Sequence, residues 1–467
     1  MTSKTLRLAS FGIRGYVGGA LTPRAATDFA LAFATVNAGG KVLVGRDTRR
    51  SSDLFHHAVV SGLRSAGCEV VDLGICPTPM LQWLVPREEA AGGVSISGGH
   101  NGMGWNAITL IGSDGAFLDP VGGANVLDVY HSGNFRQVPW DQVGSHHIVD
   151  GAGAHGKDPL YSLAYFDALE EFLDADAIRK VGFTVLIDPV GGAGCRFLEP
   201  FCRRLNLKLV PINAEPSGYL PRDPEPRPRT ARHMASIIPH VSADVAFALS
   251  SDMGRLSMVT EALETASEEY TLPLIADHVL ARNPGPVVTN CCTTRMLDDV
   301  AKRHGQALYK TEVGQAYVVS RLADENGAVG GEGNGSVCVP AFSRAFDGFL
   351  MMGLVLEAMA VSGAPVSQLV SRLPRYAIVK RAVEVGSTRD AYVALERLKK
   401  KLRREFGEER ITTLDGVRVN FDDGWVHVRT SRTERMVRIL SEASHADIAE
   451  RRQEAMARRI TDAWEGS

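Results

Sequence analysis

The sequence predicts an α/β protein built from three similar mixed α/β domains and a smaller C-terminal α+β domain. Three observations carry that expectation. Short apolar runs alternate with stretches of helical period, the order that packs helices on both faces of a mostly parallel sheet. The alternation recurs along the chain. Beyond about Tyr376 it gives way to a long basic helix followed by short strands and turns.

The elements follow in order. Lys41–Gly45 is a buried-strand run, Ser52–Ala66 has the period of a helix, and Glu69–Gly74 is a second strand. Val181–Asp188 reads as the next strand, with the Gly-rich turn Pro189–Gly194 and a helix through Arg204 behind it. Asp244–Leu249 is another apolar strand. Val287–Thr289 and Ala307–Tyr309 bracket a helix over Thr294–His304. In the last part a helix spans Arg389–Phe406. Its basic run Lys399–Arg404 is balanced by Glu405, Glu408 and Glu409 and reads as a solvated face. Linkers are expected at the Gly/His-rich Gly144–Lys157, at the Pro/Arg-rich Pro216–Pro228, and near Pro374.

The 467 residues fit three or four domains, at roughly 100–200 residues each. A net charge of −3 gives no bulk attraction to nucleic acid or anionic membrane, so neither is expected as a partner. An anionic ligand would need a local basic site. The seven cysteines, at 68, 76, 195, 202, 291, 292 and 338, are odd in number and show no C-x-x-C spacing. Buried free thiols are expected rather than disulfides or a zinc site. The start, Met1–Arg7, lacks the apolar core of a signal peptide, and no run of ~18 apolar residues is present. A cytoplasmic location is expected.

Several motifs fall in an order that resembles the α-D-phosphohexomutases. Phe11-Gly-Ile-Arg14-Gly15 is similar to that family's N-terminal F-G-x-x-G-I-R-G, shortened. Val44-Gly-Arg-Asp47-Thr-Arg49-Arg-Ser-Ser52 resembles V-G-x-D-x-R-x-S-S, and Cys76-Pro-Thr-Pro79 resembles G-x-x-P-T-P. Ala243-Asp244, Thr311–Gly314 and Gly330–Gly335 resemble segments of the second and third domains. Arg429-Thr-Ser431-Arg432-Thr433-Glu434-Arg-Met-Val-Arg438 resembles R-x-S-x-T-E-P-x-x-R. The resemblance covers nearly the whole chain. It implies four domains around a central cleft, at 1–155, 156–258, 259–373 and 374–467, each lending one loop.

The resemblance implies a phosphate-binding loop at Arg429, Ser431, Arg432, Thr433 and Arg438, whose guanidinium and hydroxyl donors suit phosphate oxygens. Glu332 and Asn334 match the family's sugar-hydroxyl readers. Arg14, Arg49 and Arg255 are expected as cleft cations, and Trp105 as a ring that could stack on a sugar.

The departures gather at the phosphoryl-transfer centre. The family's active loop reads T-A-S-H-N and its serine carries the phosphate. Here Ser97-Gly98-Gly99-His100-Asn101 puts Gly99 at that position, and glycine has no oxygen to phosphorylate. The metal loop D-G-D-A-D-R reads Ser250-Ser251-Asp252-Met253-Gly254-Arg255. One aspartate and two hydroxyls are a poor Mg²⁺ set, so no metal cofactor is expected. The lysine of N-G-x-K is Thr109 in Asn106-Ala-Ile-Thr109.

The expectation is therefore a phosphorylated-sugar site with replaced chemistry. It would be metal-independent acid–base work of isomerase, epimerase or lyase type, with His100 as acid/base and Asp252 as its partner carboxylate. A non-catalytic sugar-phosphate-binding protein and a mutase with a substitute nucleophile, Ser97 or His100, are the alternatives. A homodimer is a further expectation.

Overall fold

The computed structural model describes residues 6–9, 11–149, 160–431 and 435–465. Four sheets follow one another along the chain. The first has seven strands, in the order Arg7–Ala9, Gly12–Tyr16, Trp105–Gly112, Gly92–Ile96, Gly40–Arg46, Cys68–Ile75 and His146–Ile148. Its heart is parallel: Gly40–Arg46 pairs with both Cys68–Ile75 and Gly92–Ile96. Both faces of that strand are covered. Val42 and Val44 pack with Phe29, Phe55 and Leu63 of the helices Pro23–Val36 and Arg50–Ser65. Leu43, on the other face, joins Met80, Leu81 and Leu84 of the helix Thr78–Arg87. That two-sided burial is why the strand reads as an unbroken apolar run.

The second sheet runs Leu256–Thr260, Val245–Leu249, Thr184–Asp188, Lys208–Pro211, and the third Leu308–Thr311, Val287–Asn290, Val329–Glu332, Ser336–Cys338. The three sheets share one device. A strand parallel to its inner neighbour turns back as an antiparallel hairpin. The hairpins are Gly92–Ile96 with Trp105–Gly112, Val245–Leu249 with Leu256–Thr260, and Val329–Glu332 with Ser336–Cys338. The fourth sheet is antiparallel, in the order Ala377–Glu384, Met436–Ala443, Gly424–Thr430, Val417–Phe421, Ile411–Thr412. The helices Thr388–Phe406 and Ala446–Glu465 cover one of its faces through Leu395, Leu398, Leu402, Met456 and Ile460.

The multi-domain α/β architecture agrees with the sequence reading, but three details differ. Val181 ends the helix Ala175–Val181, which Gly182 closes at φ +67, so the strand begins at Thr184. Glycine adopts that left-handed conformation without the steric cost of a Cβ. The helix behind the Gly-rich turn opens as a 3₁₀ segment, Ala193–Phe197, before Leu198–Arg204. The stretch Gly144–Lys157 is not linker throughout, because His146–Ile148 is the edge strand of the first sheet. Its residues 150–157 lie outside the described ones.

The first three domains are joined by a shared core. Trp83 stands edge-on to Tyr165 at 5.5 Å and stacks on Phe342 at 6.4 Å. The Tyr165 hydroxyl donates to Asp347 at 2.6 Å, and Asp347 also caps the helix Gly348–Ser362. Among the described residues no helix is long and apolar enough to cross a membrane.

Candidate active site

The loops of the first two domains meet through one buried arginine. Arg49, 1% exposed, donates through Nη1 to Asp47 Oδ2 and to Ser251 Oγ at 2.7 Å, and through Nη2 to the carbonyls of Gly99 at 3.2 Å and Asn101 at 2.6 Å. Ser251 also donates to Gly99 O at 2.8 Å. A guanidinium offers five N–H donors in a fixed fork, which is what this junction uses. Arg49 was expected as a cleft cation. In the structure its Nη1 and Nη2 donors are directed at the junction.

Asp47 completes the knot. Its carboxylate accepts from Ser52 at 2.5 Å, from Ser97 at 2.7 Å and from the Arg49 backbone N–H at 3.0 Å, besides the guanidinium. Ser97 is buried, donates to Asp47 and accepts from Gly99 N at 3.0 Å. Those bonds fix its position between Asp47 and the Gly99 backbone.

The loops converge further. Thr78 N–H donates to Asp252 O at 3.2 Å, and Leu256 N–H donates to Gly335 O at 2.8 Å. The three hairpin loops therefore form one hydrogen-bonded surface.

Gly99 sits at φ +53 within it, and a Cβ added there would stand 2.8 Å from Asp252 Oδ2. The carboxylate thus borders the space that a serine side chain would use. Asp252 Oδ1 accepts from Ser250 Oγ at 2.5 Å and Gly254 N at 3.1 Å, while Oδ2 is turned toward Gly99. Mg²⁺ is commonly held by one or two carboxylates with substrate phosphate and several waters. The free oxygen of Asp252 fits such a one-carboxylate set, whereas Asp47 is spent on its own partners.

His100 follows directly and is partly exposed. Burial, then the charges of Arg255, Arg14, Arg227 and Arg49, hold its imidazole well below its ordinary pKa. It is neutral at pH 7, which suits a nucleophile or phosphoryl acceptor and not a general acid. Arg255 is set by Glu225 at 3.0 Å, and Glu225 also pairs with Arg227. Both partners come from Pro216–Pro228, which the sequence reading took as linker. Its alternating charges between prolines were the missed signal. Arg14 lies on Gly12–Tyr16, paired with Ala107 of the active hairpin. Trp105 is committed elsewhere, with the Arg7 guanidinium 4.4 Å over its ring and Tyr16 edge-on at 6.3 Å, so the expected sugar stack loses a face.

In the third domain Glu332 is buried. It accepts from Asn290 at 2.8 Å and Gly314 N at 2.9 Å on Oε1, and from Asn334 at 3.0 Å on Oε2. Asn334 is the more open of the pair. In the fourth, Arg429 and Arg438 are direct cross-strand partners. Like charges placed opposite one another repel, and the Asp415 carboxylate offsets part of that repulsion. Asp415 lies 3.5 Å from Arg429, and Ser431 N–H donates to Met436 O at 3.0 Å. Arg432 and Thr433 lie outside the described residues.

Comparison with known proteins agrees with this geometry. Phosphoglucomutase/phosphomannomutase alpha/beta/alpha domains I, II and III match residues 8–137, 163–263 and 267–376, and the C-terminal domain of the same family matches 379–459. A phosphoglucomutase/phosphomannomutase of Thermococcus kodakarensis is 35% identical over 98% of this chain and 99% of its own length. A probable phosphoglucosamine mutase of Thermococcus gammatolerans is 32% identical, covering 97% of each chain. The crystal structure of a phosphoglucomutase/phosphomannomutase family protein from Burkholderia thailandensis superposes with a TM-score of 0.83 at 23% identity, covering 100% of this chain and 99% of that one. Relatives so named overturn the expectation of a metal-independent isomerase, epimerase or lyase. Because members of this family use Mg²⁺, the expectation of no metal cofactor is corrected as well. With all four domains matched in order, the chain belongs to the phosphoglucomutase/phosphomannomutase family, the α-D-phosphohexomutases.

Proposed function

We propose that the protein is a hexose-phosphate mutase that moves a phosphoryl group between the 1- and 6-positions of a gluco- or manno-type sugar, with a carrier other than residue 99. Likeness along almost the whole chain to a relative named phosphoglucomutase/phosphomannomutase carries this reading. In it, the four units 1–155, 156–258, 259–373 and 374–467 each lend one loop to a central cleft.

His100 is the carrier we assign. A hexose bisphosphate loads it: the neutral imidazole attacks one phosphorus, an N–P bond forms, and the P–O bond to the sugar breaks. The electron pair stays on the sugar oxygen, which takes up a proton. The free hydroxyl of a hexose monophosphate then attacks phosphorus and gives up its proton. The N–P bond breaks with its electron pair returning to the imidazole nitrogen, and the bisphosphate so formed turns to present its other phosphate to His100. Arg255, Arg14 and Arg227 surround this point with positive charge, which suits a transfer governed by positioning and charge neutralisation. Asp252, through Oδ2, would hold Mg²⁺, which would supply further charge neutralisation. Arg429 and Arg438 grip the phosphate that does not react, and Asn334, oriented by Glu332, meets the sugar hydroxyls.

The test is a ³¹P time course with Mg²⁺, a hexose bisphosphate activator, and glucose, mannose or glucosamine 1-phosphate. Formation of the 6-phosphate, with an acid-labile and alkali-stable phosphoprotein that His100→Ala lacks, is the expected result. An alkali-labile phosphoprotein, as an acyl phosphate is, would move the carrier to Asp252. Sugar-phosphate binding without turnover would overturn the mutase reading in favour of a non-catalytic binder.

A further inference from the structure

The third and fourth domains meet at a group of soft metal ligands remote from residues 97–101. Cys291 and Cys292 open the loop after the strand Val287–Asn290, and His427 lies on Gly424–Thr430. His427 Nδ1 is 3.1 Å from Cys292 Sγ, and its Nε2 is 3.7 Å from Cys291 Sγ. Taking one atom from each residue, the three lie within 4.8 Å of one another. With Zn–S near 2.3 Å and Zn–N near 2.1 Å, the edges of a tetrahedral zinc site are about 3.6–3.8 Å. The set of one atom from each residue, within 4.8 Å, is wider than those edges by at most about 1 Å. A turn of the imidazole that offers one nitrogen to both sulfurs, with a closing-in of about 1 Å, completes three corners.

We propose that Cys291, Cys292 and His427 form a zinc site that clamps the fourth domain to the third. Its chemistry selects a thiophilic ion rather than Mg²⁺, which prefers oxygen ligands. His427 is 0% and Cys291 1% exposed, so the ion is shielded from competing water, while the partly exposed Cys292 gives it a way in. The surroundings hold the ligands in place. Arg418 donates to Cys291 O at 2.5 Å while lying 4.4 Å over the Trp425 ring, and Cys292 N–H donates to Asn290 Oδ1 at 2.8 Å. Among the described residues no fourth protein ligand joins the group, which leaves the open position of an exchangeable site.

The position gives the clamp a consequence. Asn290 binds Glu332 through its side-chain amide, and His427 stands two places before Arg429 on the same strand and the same face. A bound ion would tie the strand that carries Arg429 to the loop whose Asn290 binds Glu332. This inference makes no assumption about the carrier or the reaction.

The test is titration of the purified, reduced full-length protein with Co²⁺ and then Zn²⁺. We expect one Co²⁺ per chain with intense thiolate-to-cobalt charge transfer in the near ultraviolet, displaced by Zn²⁺. Cys292→Ser should weaken binding by at least tenfold and reduce the charge-transfer band. Should that variant misfold, the wild-type protein still decides. Zn²⁺ must then protect Cys292 from alkylation by iodoacetamide, read peptide by peptide, while Mg²⁺ does not. A cobalt spectrum without charge transfer, or alkylation of Cys292 unaffected by Zn²⁺, would show that the imidazole only hydrogen-bonds the two thiols and would overturn the proposal.

Discussion

Gly99 illustrates how much one side chain can decide. Its φ of +53 lies in the left-handed region, and an added Cβ would stand 2.8 Å from Asp252 Oδ2. A non-glycine residue there costs about 1–2 kcal/mol, before any displacement of the carboxylate. Gly99→Ser should therefore lower the denaturation midpoint by a corresponding amount and should not create a phosphoserine carrier. A phosphoserine found by mass spectrometry in that variant would contradict the prediction. The neighbouring His100 carries a pH prediction. Burial and the surrounding arginines depress its folded pKa below the unfolded value of 6.5. The unfolded chain then binds the extra proton first as pH falls. The stability tied to the neutral ring is complete above about 6.5 and declines below it. His100→Gln should remove that acid-side decline, measured as urea midpoints between pH 7 and 5.

At the scale of elements, the antiparallel hairpin repeated in three domains explains why the functional residues sit where they do. Each hairpin projects a short loop beyond a sheet whose parallel strands are fixed by two-sided burial. The long helix Gly348–Ser362 helps hold the sheets in place. Asp347 accepts at its start from Phe349 N at 3.0 Å and Leu350 N at 3.3 Å, and from the Tyr165 hydroxyl. Burial raises the Asp347 pKa to about 6. Asp347→Ala removes the cap, worth about 1 kcal/mol, and strands a buried hydroxyl at a cost of about 1–3 kcal/mol. A total loss of about 2–4 kcal/mol in urea unfolding is expected, and Asp347→Asn should recover about half of it. Equal losses for the two variants would count against the cap.

At the scale of the molecule, Arg49 is a buried ionic tie between the first and second domains, beside the Ser251–Gly99 and Thr78–Asp252 hydrogen bonds. Removing it leaves Asp47 buried without its ion partner, and breaking such a pair costs about 3–5 kcal/mol. Arg49→Ala should destabilise by that amount and expose residues 97–101 to protease. Arg49→Lys keeps the charge but not the fork, so it should restore only part of the stability and little of the protease resistance. Full resistance in the lysine variant would show that charge alone holds the junction.

The sequence by itself determined the α/β architecture, because two-sided burial writes apolar strands and helical periods directly into residue order. It also determined the family, because the loop motifs keep their order along the chain, and that residue 99 carries no side-chain oxygen, because it is glycine. Contacts between distant segments were decided only by the tertiary structure. Arg49 and Arg429 are both arginines in recognisable motifs, yet one is buried against Asp47, Ser251 and Gly99, and the other stands opposite Arg438 on a sheet face. The Pro216–Pro228 stretch becomes part of the site because Glu225 pairs with Arg255, thirty residues away. His427 meets Cys291 and Cys292 across more than 130 positions. Residue order records local period and side-chain chemistry, whereas partner choice depends on which surfaces the packed domains bring within hydrogen-bonding distance.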